Sequence, residues 1–370
     1  MRVQVVRRWA VVAVGLTALC AMPVLASALP PSVPKMTASQ LRGRILASAA
    51  ESYAGYAESN ATFGLPELPG LRDVTSLLDG VTKMRVWEAG PDLWRVDVLS
   101  DAGERDTYQL GSRSFIWDSG EELLTEVAGQ QPLRLPRPAD LVPPALAIRL
   151  LDEAGQRARF SVIPPLRVAG QSAAGLRVTP ADPASTIGHI DVWAQPSSGL
   201  PLRVEIFGRG SASPALESQF FQVSPWQPDS LVLTPERGPG TGFTTTSAGN
   251  LAGALNNLGL EPLPDQLVGR DRLPEPPGFA RIGVYGGGLA TFVALGIRGG
   301  LNLIPDAVSA GGTPLTVSGA GGVLIGAPLI NAVIVRPSGS YITYLIAGTV
   351  SATVLEQAAV TLVADEDAVG

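Results

Sequence analysis

Cysteine and histidine are nearly missing from this 370-residue chain, which has one of each, Cys20 and His189. Cys20 lies in the N-terminal leader described below, so the rest of the chain forms no disulfide, thiolate metal site or cysteine nucleophile. Transition-metal sites built on His or Cys clusters are excluded with them. A serine hydrolase needs a base beside its nucleophile. His189 alternates onto the polar face of its strand with Asp191 and Trp193 and reads as a solvated strand residue, and there is no G-x-S-x-G elbow. The glycine runs 286–288 and 319–322 lack the Lys-Ser/Thr of a phosphate loop and the spacing of a dinucleotide fingerprint, and read as turns. Basic charge is also scarce. Lys and Arg number 27 against 33 Asp and Glu, a net charge of −6; beyond residue 28 the balance is 24 against 33, or −9, with no basic run. A nucleic-acid partner is therefore disfavoured. The acids Asp365, Glu366 and Asp367 lack calcium-loop spacing and read as a solvated tail. No catalytic residue, metal or cofactor is assigned, although a glycosidase-type carboxylate pair stays open because acids are scattered through the strands.

The chain opens with Arg2, Arg7 and Arg8, then an uncharged apolar stretch, residues 9–29, that contains Ala26, Ser27 and Ala28. A basic start, an apolar run and a small-x-small end describe an export signal over residues 1–28, cleaved after Ala28. The alternative is an N-terminal anchor, since a membrane span needs about 20 residues. Both place the remainder outside the cytoplasm, periplasmic or secreted. Leu19 before Cys20 argues against lipid attachment there. Later apolar runs are short or broken by proline, so membrane contact is confined to the N-terminal segment.

The length beyond the leader suits about two domains. Thr37 and Gln40 form a capping box ahead of Leu41, Ile45 and Leu46 at helical spacing. From residue 53 to about 233 the hydrophobic period becomes two, as in strands. Trp94, Val96 and Val98 share one face of 93–99; Phe115 and Trp117 share one face of 113–118. Ile190 and Val192 do the same in 189–194, as do Val204 and Ile206 in 200–207. Close-set turns at 90–92, 101–103, 110–112 and 196–199 imply an antiparallel meander. A helix at 138–154, with Asp140 as its possible cap and Leu146, Ile148, Leu150 and Leu151 as apolar content, interrupts the strands and suits a cover for an apolar sheet face. Residues 234–277 read as a linker with a short helix near 251–258. Residues 278–365 read as a smaller α+β domain, with strands at 280–285, 289–297, 323–335 and 341–348 and a helix at 351–363.

The run Trp193-Ala194-Gln195-Pro196-Ser197-Ser198-Gly199-Leu200-Pro201 resembles the W-x-D-P-x-x-G-L-P hairpin of the LolA/RseB superfamily, with Gln195 in place of the usual Asp. The pairs Arg85-Val86-Trp87, Trp94-Arg95-Val96-Asp97 and Gly103-Glu104-Arg105-Asp106-Thr107-Tyr108 also resemble actinobacterial members. This resemblance covers residues 37–233. It implies a fold that is α+β but mainly antiparallel β: a half-open curved barrel with helical lids, holding lipid acyl chains or lipoprotein on its concave face. Lining candidates are Trp94, Val96, Val98, Phe115, Trp117, Ile190, Val192, Val204 and Ile206, with Ile148 and Leu151 from the lid; each is also a plain core residue by composition. LolA-type carriers have one domain, whereas RseB/MucB-type regulators of sigma-factor signalling add a C-terminal domain that contacts a membrane anti-sigma factor. Residues 278–286 and 344–350 resemble that addition.

Three functions remain: a non-enzymatic envelope-stress sensor of RseB type, a LolA-like carrier of lipid or lipoprotein, and a secreted hydrolase with an unrecognised carboxylate pair.

Overall fold

The computed structural model describes residues 31–64, 72–101, 103–129, 134–247, 251–275, 278–299 and 302–369. The export-signal reading, on residues 1–28, lies outside them. Among the described residues no helix is long and apolar enough to cross a membrane.

Helix α1 (Ala38–Ala47) begins at its capping box: Gln40 N–H donates to Thr37 Oγ1 at 3.2 Å, and Thr37 N–H donates to Gln40 Oε1 at 2.9 Å. Leu41 and Ile45 are its buried residues. After a short 3₁₀ turn come β1 (Tyr53–Thr62), α2 (Arg72–Leu78), β2 (Asp79–Gly90), β3 (Leu93–Ser100), β4 (Gly103–Leu110), β5 (Arg113–Asp118) and β6 (Leu123–Ala128). Helix α3 (Pro143–Ala154) follows, then β7 (Ala158–Val168), β8 (Gln171–Pro180), β9 (Ile187–Ala194), β10 (Pro201–Gly208), β11 (Pro214–Ser224) and β12 (Gly242–Ser247). All twelve strands form one sheet in the order β12-β6-β5-β4-β3-β2-β1-β11-β10-β9-β8-β7. The edges β12 and β7 do not pair, so the mainly antiparallel sheet stays open, as the family resemblance implies. Strand β7 carries Pro164 and Pro165, and its register skips from Ile163 to Leu166 there.

The sequence reading is corrected at two elements of the first sheet and its cover. The predicted helix at 138–154 is a 3₁₀ turn, Pro138–Leu141, followed by α3. Val142, held extended before Pro143, stands at the N-cap, and the two prolines occupy the first turn where no N–H is required. The stretch read as a linker contains β12, which pairs in parallel with β6. Every residue of β12 is exposed, so no alternation of hydropathy marks it.

The main core lies between the concave face and the helices. Leu41, Ile45, Leu146, Ala147 and Leu151 pack with Ile190, Val192, Val204, Ile206 and Phe220. The hairpin turn carrying Gly199 seats α1. Gly199 has φ +80°, and a Cβ there would meet the Arg44 carbonyl oxygen at 2.2 Å, while Arg44 Nη1 donates to the Pro196 carbonyl. Gln195 supports the turn as an acceptor from Ser198 Oγ at 2.6 Å.

Helix α4 (Leu251–Asn256) and the short strands β13 (Leu260–Glu261), β14 (Gln266–Leu267) and β15 (Arg270–Asp271) lead to a second sheet. It consists of β13 with β16 (Gly283–Gly287), β17 (Ala290–Arg298), β18 (Thr313–Val317), β19 (Ala320–Gly326), β20 (Asn331–Arg336) and β21 (Ile342–Gly348). The run 323–335, read as one strand, is two, because Pro328 lies in the turn between β19 and β20. Strand β18 and helix α5 (Leu303–Ser309) were missed by the sequence reading. Helix α6 (Ala352–Val369) buries Leu355, Ala358, Ala359 and Leu362 against this sheet.

The two sheets meet at the loop between β8 and β9. Ser185 Oγ donates to the Leu289 carbonyl at 2.6 Å and Thr186 Oγ1 to the Leu329 carbonyl at 2.5 Å. Arg270 pairs with Asp182 at 2.7 Å, and Leu289 and Leu329 join the core of the first sheet.

Candidate functional site

Beneath α3, against strands β1 to β3, the concave face leaves a cavity of about 480 Å³. The sheet contributes Tyr53, Val86, Glu88, Trp94 and Val96; the lid contributes Arg137, Ala139, Asp140, Ile148 and Arg149. The volume lies within the usual range for a small-molecule site, an apolar cleft with a few convergent polar groups.

Those polar groups are unusual in their state. The Arg137 guanidinium lies 4.6 Å from the Trp94 ring centroid, and its Nε is buried without a hydrogen-bond partner. Burial, together with nearby Arg134, lowers its pKa to about 10. Asp140 is occupied elsewhere: it accepts both arms of the Arg134 fork at 2.6 Å and the Arg137 N–H at 2.9 Å. Burial opposes its ionisation, but these donors hold the Asp140 carboxyl below the usual range. Glu88 stands between Tyr53 on β1 and Trp94 on β3. Burial pushes its carboxyl up to about 8, with the Gly90 N–H offsetting only part, so Glu88 is neutral at pH 7. The wall therefore presents a cation with a free donor, a neutral carboxylic acid and an aromatic face.

The structure places the eleven sequence candidates unevenly. Trp94, Val96 and Ile148 line the cavity. Leu151, Ile190, Val192, Val204 and Ile206 share the concave side but are packed within the core, and Val98 is half-buried beside them. Phe115 and Trp117 are corrected: they project from the convex face. Arg95 opposes Tyr108, and Tyr108 opposes Phe115; Asp97 opposes Asp106, and Asp106 opposes Trp117. Residues paired across strands share a face, so Phe115 and Trp117 go with Arg95 and Asp97, and they form a separate cluster with Tyr108 and Leu124. His189, also convex, stacks on Phe207 with centroids 4.2 Å apart, its Nε2 3.8 Å from Asp191. The sequence reading missed Tyr53, Val86, Glu88 and Arg137. Glu88 left a signal, as it continues the apolar series Met84 and Val86 at an inward position.

No family model and no curated protein matches the sequence. Among solved structures the chain is similar to MucB in complex with MucA(peri), at 17% identity and TM-score 0.47 over 87% of this chain and 97% of that one. It is also similar to the MucA/MucB complex of Pseudomonas aeruginosa, at 18% identity and TM-score 0.47 over 87% and 96%. The resemblance is one of fold. A LolA superfamily protein of Nitrosomonas europaea is matched at 13% identity and TM-score 0.25, over 54% of this chain and 99% of that one.

Proposed function

We propose that this chain is an exported, non-enzymatic binding protein that holds an amphiphile under α3, its apolar part on Val86, Trp94, Val96 and Ile148 and an anionic group on Arg137. The observation that carries the reading is Arg137, a cation that lines a cavity shared by apolar and charged side chains and whose Nε is buried without a hydrogen-bond partner. An unmet buried donor is costly, and a carboxylate or phosphate oxygen relieves that cost. The sequence resemblance to the LolA/RseB hairpin supports lipid or lipoprotein as the source of the chain.

We further propose residues 37–233 as the binding domain and 278–365 as the interaction domain of an RseB-like sensor. The seam at Ser185, Thr186 and Asp182 favours this over a free carrier, because it ties the second sheet to the strands of the first. A membrane anti-sigma factor is the partner to test.

Mass spectrometry of organic extracts from the purified protein tests the binding reading, and an anionic amphiphile is the expected recovery. Recovery of none, together with turnover of an ester or glycan substrate, would overturn it in favour of a hydrolase. Capture of an anti-sigma factor from membranes only when residues 278–365 are present supports the sensor; capture without them supports a carrier.

A further inference from the structure

On the convex side of the β3–β4 hairpin, Asp97, Glu104 and Asp106 converge. Asp97 and Asp106 oppose one another across the strands, and Glu104 lies on the same face two residues before Asp106. One carboxylate oxygen from each of the three lies within 4.8 Å of the others. Asp97 is 0% exposed and Asp106 2%. Two like-charged side chains directly opposite in a sheet repel, and burial strengthens the repulsion.

Arg95 is the internal counter-charge, and its donors are already engaged. Its Nε donates to Asp97 Oδ1 at 2.6 Å, its Nη2 to Asp106 Oδ2 at 2.8 Å, and its Nη1 to the Val232 carbonyl at 3.3 Å. The Trp87 and Tyr108 rings lie 5.0 and 4.9 Å from its Cζ. Tyr108 OH adds a donor to Asp106 Oδ2 at 3.2 Å. Glu104 is approached by Arg95 Nη2 at 3.8 Å and by the half-exposed Arg85, opposite Asp97 on β2, at 3.9 Å. After these contacts Asp97 Oδ2 and Asp106 Oδ1 are buried with no donor.

We propose that Asp97 Oδ2, Asp106 Oδ1 and the Glu104 carboxylate bind a hard divalent cation of calcium type, with Arg95 keeping its own bonds. Calcium takes six to eight oxygens at about 2.3–2.6 Å in a flexible shell and tolerates an irregular set of carboxylates, whereas magnesium demands near-ideal octahedral geometry and keeps most of its waters. Glu104 is one-third exposed and leaves room for water to complete the shell. The ion would clamp the hairpin whose opposite face presents Trp94 and Val96 to the cavity.

Terbium luminescence excited through the nearby Trp87, Trp117 and Tyr108 tests the site on the full chain beyond the leader. Sensitised emission that calcium displaces is expected, with a rise in melting temperature in millimolar calcium over chelator. Glu104→Gln, at a partly exposed position and so compatible with folding, is expected to weaken terbium binding at least tenfold, and Asp106→Asn to abolish it. Absence of emission and of a calcium shift in the wild type would overturn the proposal and leave a shared proton between Asp97 and Asp106. Emission that persists undiminished in Glu104→Gln would overturn it equally.

Discussion

Glu88→Gln should stabilise the protein, and by an amount that depends on pH in one direction. The folded state raises the Glu88 carboxyl from 4.5 to about 8. A raised carboxyl means that between these values the folded chain keeps a proton the unfolded chain has released. Stability from this group is therefore fully present below the unfolded value and is lost as pH rises through the folded one. Each pH unit is worth about 1.4 kcal/mol, so at pH 7 the wild type is less stable than a neutral isostere by about 3 kcal/mol, levelling near 5 kcal/mol above pH 9. Glutamine keeps the shape and an acceptor for the Gly90 N–H. Urea unfolding of both proteins, followed by far-ultraviolet circular dichroism from pH 4.5 to 9, measures the difference. Asp97 and Asp106 titrate in both proteins and cancel. A difference that stays flat across this range would refute the argument, because it would mean that Glu88 is solvated or charged in the folded state.

Gly199→Ala should lower stability by about 3 kcal/mol, combining a left-handed backbone with a clash on the Arg44 carbonyl; an unchanged denaturant midpoint would count against α1 resting on this turn. Val192→Glu should unfold the protein rather than merely block binding, since Val192 is fully buried between Leu176 and Val204; a folded variant by circular dichroism would contradict that placement. Ile148→Trp should fill the cavity and reduce amphiphile binding at least tenfold, with a stability change of about 1 kcal/mol, measured by fluorescent-probe displacement and urea unfolding. Ser185→Ala should cost about 1–2 kcal/mol by removing one of the two hydroxyl donors to the Leu289 carbonyl and the acceptor of the Ile187 N–H, and should increase cleavage between the sheets in limited proteolysis.

The alternation of Trp94, Val96 and Val98, and of Ile190 and Val192, made the concave face legible, because a half-buried strand must alternate. Phe115 and Trp117 were misplaced because alternation fixes faces within a strand, not between strands. The missing information was in the turns. The pairing of Ser100 with Gly103 and of Leu110 with Arg113 sets Arg95 opposite Tyr108 and Tyr108 opposite Phe115, and the same count places Asp97 opposite Asp106. Arg137 was not legible, since its burial depends on a lid folding back over Trp94 from more than forty residues downstream. Strand β12 was illegible for a different reason: an edge strand solvated on both faces has no hydrophobic face to declare.

The two edges of the first sheet bear on how the molecule behaves in company. An open twelve-stranded sheet is a standing invitation to strand-by-strand polymerisation, because each edge presents unpaired backbone groups. At one edge, residues 164 and 165 have no N–H to donate and break the ladder at mid-strand. At the other, the outermost strand is β12, six residues that are all exposed and run parallel to β6, in the opposite sense from the meander. The cavity under α3 and the rims of the sheet thus lie at different places, and neither rim offers a long regular template for another strand.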